Sequence, residues 1–270
     1  MNYTTFSPHA DLASFVKCYW ELEVAADPDV QKQRIIPDGY IEMFFILGDD
    51  VRRFTTETDY ILQPRAMVLG QITEPFYIQP SGYVHSFAIR FYPYGFAHFV
   101  HVPLKELANK ETPLETLFPE GTVLQEKVES AGSTPERIAV MENYLLGRLT
   151  EKSTIDKVVK NTVDTLLGTK GNARIGTILE RNGINRRQLE RKFFQQVGLS
   201  PKQLGKVIRL QYALQRLLNR EKGNLTEIAY DSDYYDQAHF TRDFREFTGI
   251  SPKDFPDDAG MELSSRLYTD

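Results

Sequence analysis

A short basic stretch carries side chains suited to contacting nucleic-acid bases. Leu189 and Phe193 lie one helical turn apart and are expected to face a core. The opposite face of that helix then carries Arg186, Arg187, Glu190, Arg191 and Phe194. Because a guanidinium is a planar fork of donors that can bond guanine bidentately in the major groove, base recognition is the chemistry expected of this face. The plainer alternative is a solvated charged surface.

The chain repeats itself at an offset of 51 residues. Residues 189–193 (LERKF) match 240–244 (FTRDF), and residues 196–201 (QVGLSP) match 247–252 (FTGISP). Seven positions agree in type at fixed spacing, which is hard to obtain by chance. The repeat therefore predicts two copies of one structural unit.

Each copy is predicted to form a helix, a turn and a second helix. In the first copy, residues 174–181 are a short helix and Asn182-Gly183 is the turn. The predicted N-caps are Asn185, Asn224 and Asp236, with Gln188 and Glu227 at the third positions of the helices that Asn185 and Asn224 begin. The two copies thus read as two helix-turn-helix units in tandem.

A single helix is predicted to join the two units. Ser200-Pro201 opens it, and the apolar periodicity runs to about Asn219. Eighteen helical residues span roughly 27 Å, close to the roughly 34 Å between successive major-groove faces of B-DNA. A rigid connector of this length would seat two helices on one side of a duplex.

The charge distribution supports a basic module joined to an acidic partner. The whole chain has a formal net charge of −5, yet residues 160–254 hold 17 Lys and Arg against 11 Asp and Glu. Within that stretch, residues 174–222 hold 12 positive and three negative side chains, whereas residues 223–256 hold three and seven. The positive charge is concentrated on the first unit.

The fold class expected is α+β, in two domains and a tail. Residues 1–152 begin with short alternating runs typical of an antiparallel β-sandwich or barrel and end in flanking helices; residues 153–256 are all-α, and 257–270 are a polar tail. One cysteine indicates a reducing compartment. With no apolar run of bilayer length and no signal peptide, a cytoplasmic protein without membrane contact is expected.

Residues 173–255 resemble the DNA-binding domain of the AraC family of bacterial regulators. The residues that carry the likeness lie mainly in the second unit: Asn224 to Ala229, Tyr234, Asp236, Gln237, His239, Phe240, Arg242, Phe244, Phe247 and Gly249 to Pro252. The resemblance implies base contacts from Arg187, Glu190 and Arg191 in the first unit. It implies base contacts from Gln237, Ala238, His239 and Arg242 in the second. For His239, a structural packing role is the open alternative.

Two positions depart from the family pattern. Asp233 stands where the family usually has a turn glycine, and Leu179 replaces a small residue of the first helix. Together with the acidic balance of the second unit, these departures predict that the first unit supplies most of the affinity, since phosphate contacts dominate it.

The N-terminal part resembles the cupin-type sensor domain attached to some AraC relatives. The likeness rests on residues 16–20 (VKCYW), 37–42 (PDGYIE), 69–70 (LG) and 91–95 (FYPYG). It implies an effector pocket inside a small barrel, and dimerisation, for which the helices between about 96 and 150 are the candidate. Arg34, Asp38 and Glu42 are candidates for the polar end of that pocket; a turn residue with a salt-bridged strand pair is the alternative.

Three functions are compared on this basis. The leading hypothesis is a non-enzymatic regulator of double-stranded DNA that responds to a small effector, works with RNA polymerase and needs no cofactor. In a second, a partner protein gates the front domain. A buried, aromatic-lined cavity of about 300 Å³ or more favours the small ligand, and a filled barrel with an exposed apolar patch favours the partner.

The third function is a metal-dependent cupin enzyme. His9, His85, His98 and His101 invite it, but the chain has no His-x-His pair to start a metal site. Catalytic, phosphate-loop and dinucleotide motifs are also missing from the sequence. We therefore expect neither a metal nor an enzyme.

Overall fold

The N-terminal part of the computed structural model consists of two antiparallel sheets. The structure describes residues 1–149, 155–218, 225–232, 234–255 and 259–261. The strands are β1 (Asn2–Phe6), β2 (Val16–Val24), β3 (Gln33–Ile35), β4 (Ile41–Ile46), β5 (Val51–Phe54), β6 (Tyr60–Leu62), β7 (Ala66–Leu69), β8 (Phe76–Pro80), β9 (Val84–Phe91) and β10 (Glu111–Pro113). The six-stranded sheet has the order β1-β2-β9-β4-β7-β10, and the four-stranded sheet has the order β3-β8-β5-β6.

Alternation along the strands places the core of this part on one face of the six-stranded sheet. Tyr19, Ile41, Met43, Phe87 and Ile89 are all buried in one cluster. Three helices cover that face and end the segment: α1 (Leu114–Leu117), α2 (Gly121–Ser130) and α3 (Thr134–Arg148). Met141 and Leu145 of α3 are fully buried in the same cluster, so the helices complete a core that the strands begin.

The C-terminal part is all helical. Its helices are α4 (Lys157–Gly168), α5 (Ile175–Asn182), α6 (Arg186–Gln196), α7 (Pro201–Leu218), α8 (Leu225–Asp231) and α9 (Gln237–Thr248). The α+β class and the division into N-terminal sheets and C-terminal helices are confirmed. Asn219 and Asn224, the turn residue Asp233, the boundary at residue 152 and residues 257–258 and 262–270 of the expected tail lie outside the described residues.

The two parts pack against each other through the turn at residues 37–39. Gly39 has a φ of +84°, and a Cβ built on it would lie 3.2 Å from Leu204 Cδ1 of α7. Next to this turn, Ile36 is 1% exposed and is buried in one cluster with Val207 and Leu210 of α7 and Phe244 of α9. The N-terminal part thus contributes a side chain to the C-terminal core.

Among the described residues, no helix combines the length and the apolar character needed to cross a membrane.

Candidate nucleic-acid interface and ligand cavity

The first helix-turn-helix unit consists of α5 and α6 (unit one). Its turn and the N-cap of its second helix fix the geometry of the unit. Gly183 ends α5 with a φ of +59°, a left-handed conformation that favours glycine. Asn185 Oδ1 accepts a hydrogen bond from Gln188 N at 2.9 Å, and Gln188 Oε1 accepts one from Asn185 N at 3.2 Å. This reciprocal capping box is the one predicted, and it fixes the start of α6.

The outward face of α6 is basic and free of protein partners. Leu189 and Phe193 are fully buried on its inner face. Arg186, Arg187 and Arg191 are exposed, while Glu190 is half-buried. Within the part of the chain that the structure describes, the three guanidinium groups make no hydrogen bond or ion pair, so their donors are available to an external acceptor.

The connector α7 belongs to the cores of both units. Leu204 packs with Phe193 and Ile178 of unit one, whereas Leu210 and Leu214 pack with residues of unit two. The helix begins at Pro201, as predicted, and is described over 18 residues to Leu218; its predicted end at about Asn219 lies outside the described residues. Because one continuous helix is buried in both cores, the spacing of the two units is built into the fold.

The second unit, α8 and α9 (unit two), presents an open groove. Asp236 caps α9 by accepting a hydrogen bond from His239 N at 2.7 Å, as expected. A surface groove of about 650 Å³ runs along α9. Its lining residues are Gln237, Ala238, Thr241, Arg242 and Arg245. The sequence reasoning missed Thr241 and Arg245, although the 51-residue repeat would have indicated their positions.

His239 lies on the flank of α9 beside this groove. Its ring packs edge-on against Tyr234, with centroids 5.3 Å apart, and its Nε2 atom is 3.6 Å from Asp243 Oδ2. These contacts fit the packing role that the sequence reasoning left open. A base contact by His239 stays a prediction.

Three acidic residues of unit two, Asp231, Asp243 and Glu246, contact basic side chains of the connector. Lys206 Nζ of α7 is 3.2 Å from Asp243 Oδ1, and Arg216 of the same helix pairs with Asp231. Arg242 and Arg245 line the groove, and none of the described residues that line it with them is acidic. The net charge of the unit therefore understates how favourable its outward surface is for DNA.

A cavity of about 1230 Å³ lies between the two sheets of the N-terminal part. Its apolar and aromatic walls include Phe54, Ile61, Leu62, Leu69, Ile72 and Phe76. Ile61 and Leu62 of the edge strand β6 are more than half exposed, so the cavity opens to solvent on that side. Its volume exceeds the roughly 300 Å³ expected of a small-ligand site, but the cavity is open to solvent and not buried as that expectation required.

Arg53 and Glu111, which both line this cavity, form an ion pair. Arg53 Nε is 3.2 Å from Glu111 Oε1, and the guanidinium carbon lies 3.8 Å from the centre of the Phe76 ring. Gln63 Nε2 donates to the same Glu111 oxygen at 2.8 Å. Burial raises the pKa of the Glu111 carboxyl, and the contacts with Gln63 and Arg53 offset part of that effect.

The three predicted pocket residues are not among the residues that line the large cavity. Glu42 Oε1 accepts hydrogen bonds from Trp20 Nε1 at 2.9 Å and Arg90 Nε at 2.7 Å. Asp38 Oδ2 is 3.8 Å from Arg90 Nη2, so the buried Arg90 guanidinium forms ion pairs with two carboxylates. Asp38 is a turn residue, as in the alternative reading, but the strand residue that pairs with Glu42 is Arg90 and not Arg34. The sequence reasoning missed Arg90.

Arg34 lies in a different place from the Arg90 network. Its Nε donates to the Tyr77 hydroxyl at 3.2 Å, and it lines a shallow depression of about 590 Å³. Lys32 lines both this depression and the large cavity. A ligand role for Arg34, Asp38 and Glu42 stays a prediction.

The histidines sit in separate environments. His98 packs edge-on against Phe15, with centroids 4.8 Å apart, and burial lowers its pKa. His85 Nε2 is 2.9 Å from Glu21 Oε1, and His9 caps a short turn at residues 10–12. Over the described ranges, no three His, Cys, Asp or Glu side chains come together as a metal site requires.

Comparisons with known proteins agree with this architecture. A family model described as a helix-turn-helix domain matches residues 178–257, and one described as a domain of unknown function (DUF6597) matches residues 4–113. No curated protein matches the chain. Among solved structures, ToxT from Vibrio cholerae bound to (E)-4-(8-methylnaphthalen-1-yl)but-3-enoic acid is 14% identical, with a TM-score of 0.50. That match covers 88% of this chain and 98% of the ToxT chain.

Two further structures are similar at lower scores. A ToxT structure at 1.65 Å resolution is 13% identical, covers 88% of this chain and 98% of its own, and has a TM-score of 0.49. The C-terminal domain of AraT, a response regulator from Geobacillus stearothermophilus, is 22% identical over 38% of this chain and 85% of its own, with a TM-score of 0.35. Residues 178–257 of this chain thus form a helix-turn-helix domain of the AraC type, which follows an N-terminal domain of two antiparallel sheets.

Proposed function

We propose that this chain is a sequence-specific DNA-binding transcription regulator of the AraC type. The observation that carries the proposal is the outward face of α6, where three exposed guanidinium groups lack any partner among the described residues. In a helix-turn-helix unit the second helix lies in the major groove, so exposed, unpaired arginines on that helix can contact base edges. The groove along α9 supplies a second such surface.

We propose base-contacting residues in each unit and match each side chain to the base that its chemistry suits. In unit one they are Arg186, Arg187, Glu190 and Arg191, and in unit two they are Gln237, Ala238, His239 and Arg242. Arginine suits guanine, glutamine suits adenine, glutamate accepts from the cytosine amino group, and alanine contacts the thymine methyl. Unit one, with its denser positive charge, is proposed to supply most of the affinity.

The N-terminal domain, proposed as residues 1–152 with a cupin-like fold, is proposed to bind a small effector. Its cavity of about 1230 Å³ has apolar residues such as Phe54, Leu69 and Phe76 in its walls, together with the Arg53–Glu111 pair and further charged residues. The lining also includes Lys32, Glu57, Glu74 and Lys110. These features suit a small molecule with both an apolar body and polar groups. ToxT was solved with a small organic acid bound, and we propose a small-molecule effector for this chain as well.

Residues 153–256 are proposed as the DNA-binding domain and 257–270 as a tail. The regulator is further proposed to be a cytoplasmic, non-enzymatic homodimer that pairs through the helices between about 96 and 150. It would act together with RNA polymerase at a promoter.

The test is DNA binding by the full chain and by an arginine-deficient variant. A duplex selected from a randomised library by the full chain should be bound with a strong salt dependence, because phosphate contacts release counterions. Replacing Arg187 and Arg191 with alanine should abolish the specific complex, since each lost base contact costs roughly 1–3 kcal/mol.

A matched control removes the same charge elsewhere. Lys105 and Lys127 are exposed in the N-terminal domain, and replacing both with alanine should leave sequence-specific binding almost unchanged. Sequence-specific binding that survives in the arginine double variant would refute the assignment to unit one.

A further inference from the structure

The groove of unit two identifies five equivalent positions in unit one. The 51-residue repeat pairs Leu189 with Phe240 and Phe193 with Phe244, and all four side chains are fully buried. The two helices α6 and α9 therefore present the same rotational positions to solvent. The groove residues Gln237, Ala238, Thr241, Arg242 and Arg245 correspond to Arg186, Arg187, Glu190, Arg191 and Phe194.

The fifth pair of equivalent residues is Phe194 of unit one and Arg245 of unit two. Neither the family resemblance nor the proposed function assigns a role to this position. Phe194 is 37% exposed, although its neighbour Phe193 is fully buried. In the described part of the chain, Phe194 belongs to none of the hydrophobic clusters and to no aromatic pair. Its ring adds apolar surface to an otherwise polar face.

The spacing of the outward residues matches a known way of reading DNA. Residues 187, 190, 191 and 194 follow the pattern i, i+3, i+4, i+7, by which the third helix of a homeodomain contacts bases in the major groove. Phe194 completes that pattern in unit one. An aromatic ring at such a position meets the one apolar group on the groove floor, the C5 methyl of thymine.

We propose that position 194/245 is a fifth base-facing position, and that Phe194 contacts the C5 methyl group of a thymine. The inference rests on the proposed function, because it presupposes that α6 lies in the major groove. Arg245 at the equivalent place has a different chemistry. The two half-sites therefore differ at this position, and the operator is not a direct repeat of one sequence.

Helix geometry places the thymine within the site. Phe194 lies three residues beyond Arg191, which is about 4.5 Å along the helix at 1.5 Å per residue. One base step rises about 3.4 Å along the duplex. The thymine is therefore one or two base steps from the guanine that Arg191 contacts, on the side away from the base that Arg187 contacts.

The experiment removes one methyl group from the DNA at a time. The probe is the duplex selected from a randomised library by the full chain, with each thymine in turn replaced by deoxyuridine, which lacks only the C5 methyl. For the unaltered protein, one such replacement in the unit-one half-site should weaken binding about fourfold, the expected effect of one buried methyl-sized group. Phe194→Ala should bind the thymine and deoxyuridine duplexes equally well.

A matched variant and a folding measurement accompany this test. Gln195→Ala alters the adjacent exposed residue and should keep the deoxyuridine sensitivity of the unaltered protein. Thermal unfolding of Phe194→Ala should match that of the unaltered protein, because the ring lies outside the hydrophobic clusters. The deoxyuridine series on the unaltered protein also tests the idea without any substitution.

The outcomes separate this inference from the proposed function. If every thymine tolerates deoxyuridine, or if Phe194→Ala keeps the sensitivity at the same base, the methyl contact is overturned while DNA reading stands; Phe194 would then suit a protein partner. If the selection yields no preferred sequence, the proposed function fails and the inference fails with it.

Discussion

Gln211 of the connector helix α7 donates a hydrogen bond from Nε2 to the carbonyl oxygen of Pro37 at 2.6 Å. The acceptor belongs to the turn at residues 37–39 of the N-terminal domain, and the donor belongs to the helix buried in both DNA-reading units. Gln71 Nε2 donates to the Gly39 carbonyl of the same turn at 2.8 Å. This turn is therefore hydrogen-bonded both to the N-terminal domain that contains it and to the connector helix.

Replacing Gly39 with alanine should destabilise this contact. The left-handed backbone, with φ of +84°, disfavours a side chain, and the added Cβ would press on Leu204. Such strain costs of order 1–3 kcal/mol, which urea unfolding of the full chain would measure.

Gly147→Ala is the control for that substitution. Gly147 lies inside α3 with nothing within 4 Å of a built Cβ, so alanine should stabilise the protein there by about 0.5–1 kcal/mol. Equal effects of the two substitutions would show that the turn is not strained by a side chain.

The stability of the protein should depend on the protonation of Asp38. Burial raises the pKa of the Asp38 carboxyl to about 6; Arg90 opposes this effect and Glu42 adds to it. The same carboxyl titrates near pH 3.9 in an unfolded chain. Between these two pKa values the folded state holds a proton that the unfolded state has released, so stability should fall as the pH rises from about 4 to about 6.

Asp38→Asn removes this titration. Its unfolding free energy should change less between pH 4 and 6, and above pH 6 it should exceed that of the unaltered protein by about 1–3 kcal/mol. Urea unfolding across this pH range gives the comparison. Asp29→Asn makes the same charge change at an exposed site and should leave the slope unaltered; a slope that persists in Asp38→Asn would assign the pH dependence to another group.

Filling the cavity of the N-terminal domain should block an apolar ligand. Leu69 lines the cavity, and tryptophan in its place would occupy part of the space. We expect binding of the fluorescent probe 8-anilinonaphthalene-1-sulfonate to weaken at least about tenfold in Leu69→Trp, because the indole competes for the apolar walls. Fluorescence titration measures this affinity.

Val123→Trp is the corresponding control. Val123 is 51% exposed on α2 and does not line the cavity, so tryptophan there should leave probe binding as it is. Undiminished binding in Leu69→Trp would show that the probe, and by extension an apolar effector, sits elsewhere.

Local signals predicted the helical units well because their interactions are short in sequence. The caps at Asn185 and Asp236 involve residues at most three positions apart, and α7 begins at Pro201, where the connector was predicted to open. The first helix was predicted at residues 174–181 and is found at Ile175–Asn182. In each case a residue type favours one backbone conformation of its own neighbours.

Local sequence signals did not predict the cavity of the N-terminal domain or the buried network of Arg90, Asp38 and Glu42. Arg53 meets Glu111 only because β5 and β10 lie in different sheets that face each other across the cavity. Arg90 lies between Asp38 and Glu42 because β9 pairs with β4. These contacts depend on strand pairing and on sheet packing between distant segments, and the alternation of apolar residues does not specify which strands become neighbours.

The burial of Ile36 among helices of the reading units has a practical consequence for any shortened version of the protein. A fragment that starts at residue 153 would leave an unfilled hollow beside Val207 and Phe244, with apolar walls open to water. Weak expression or aggregation of such a fragment would then result from the loss of the Ile36 side chain. It would say nothing about the ability of the fragment to recognise an operator. The N-terminal domain is thus a structural part of the helical core, and exchanging it for another domain requires a side chain that fills the space of Ile36.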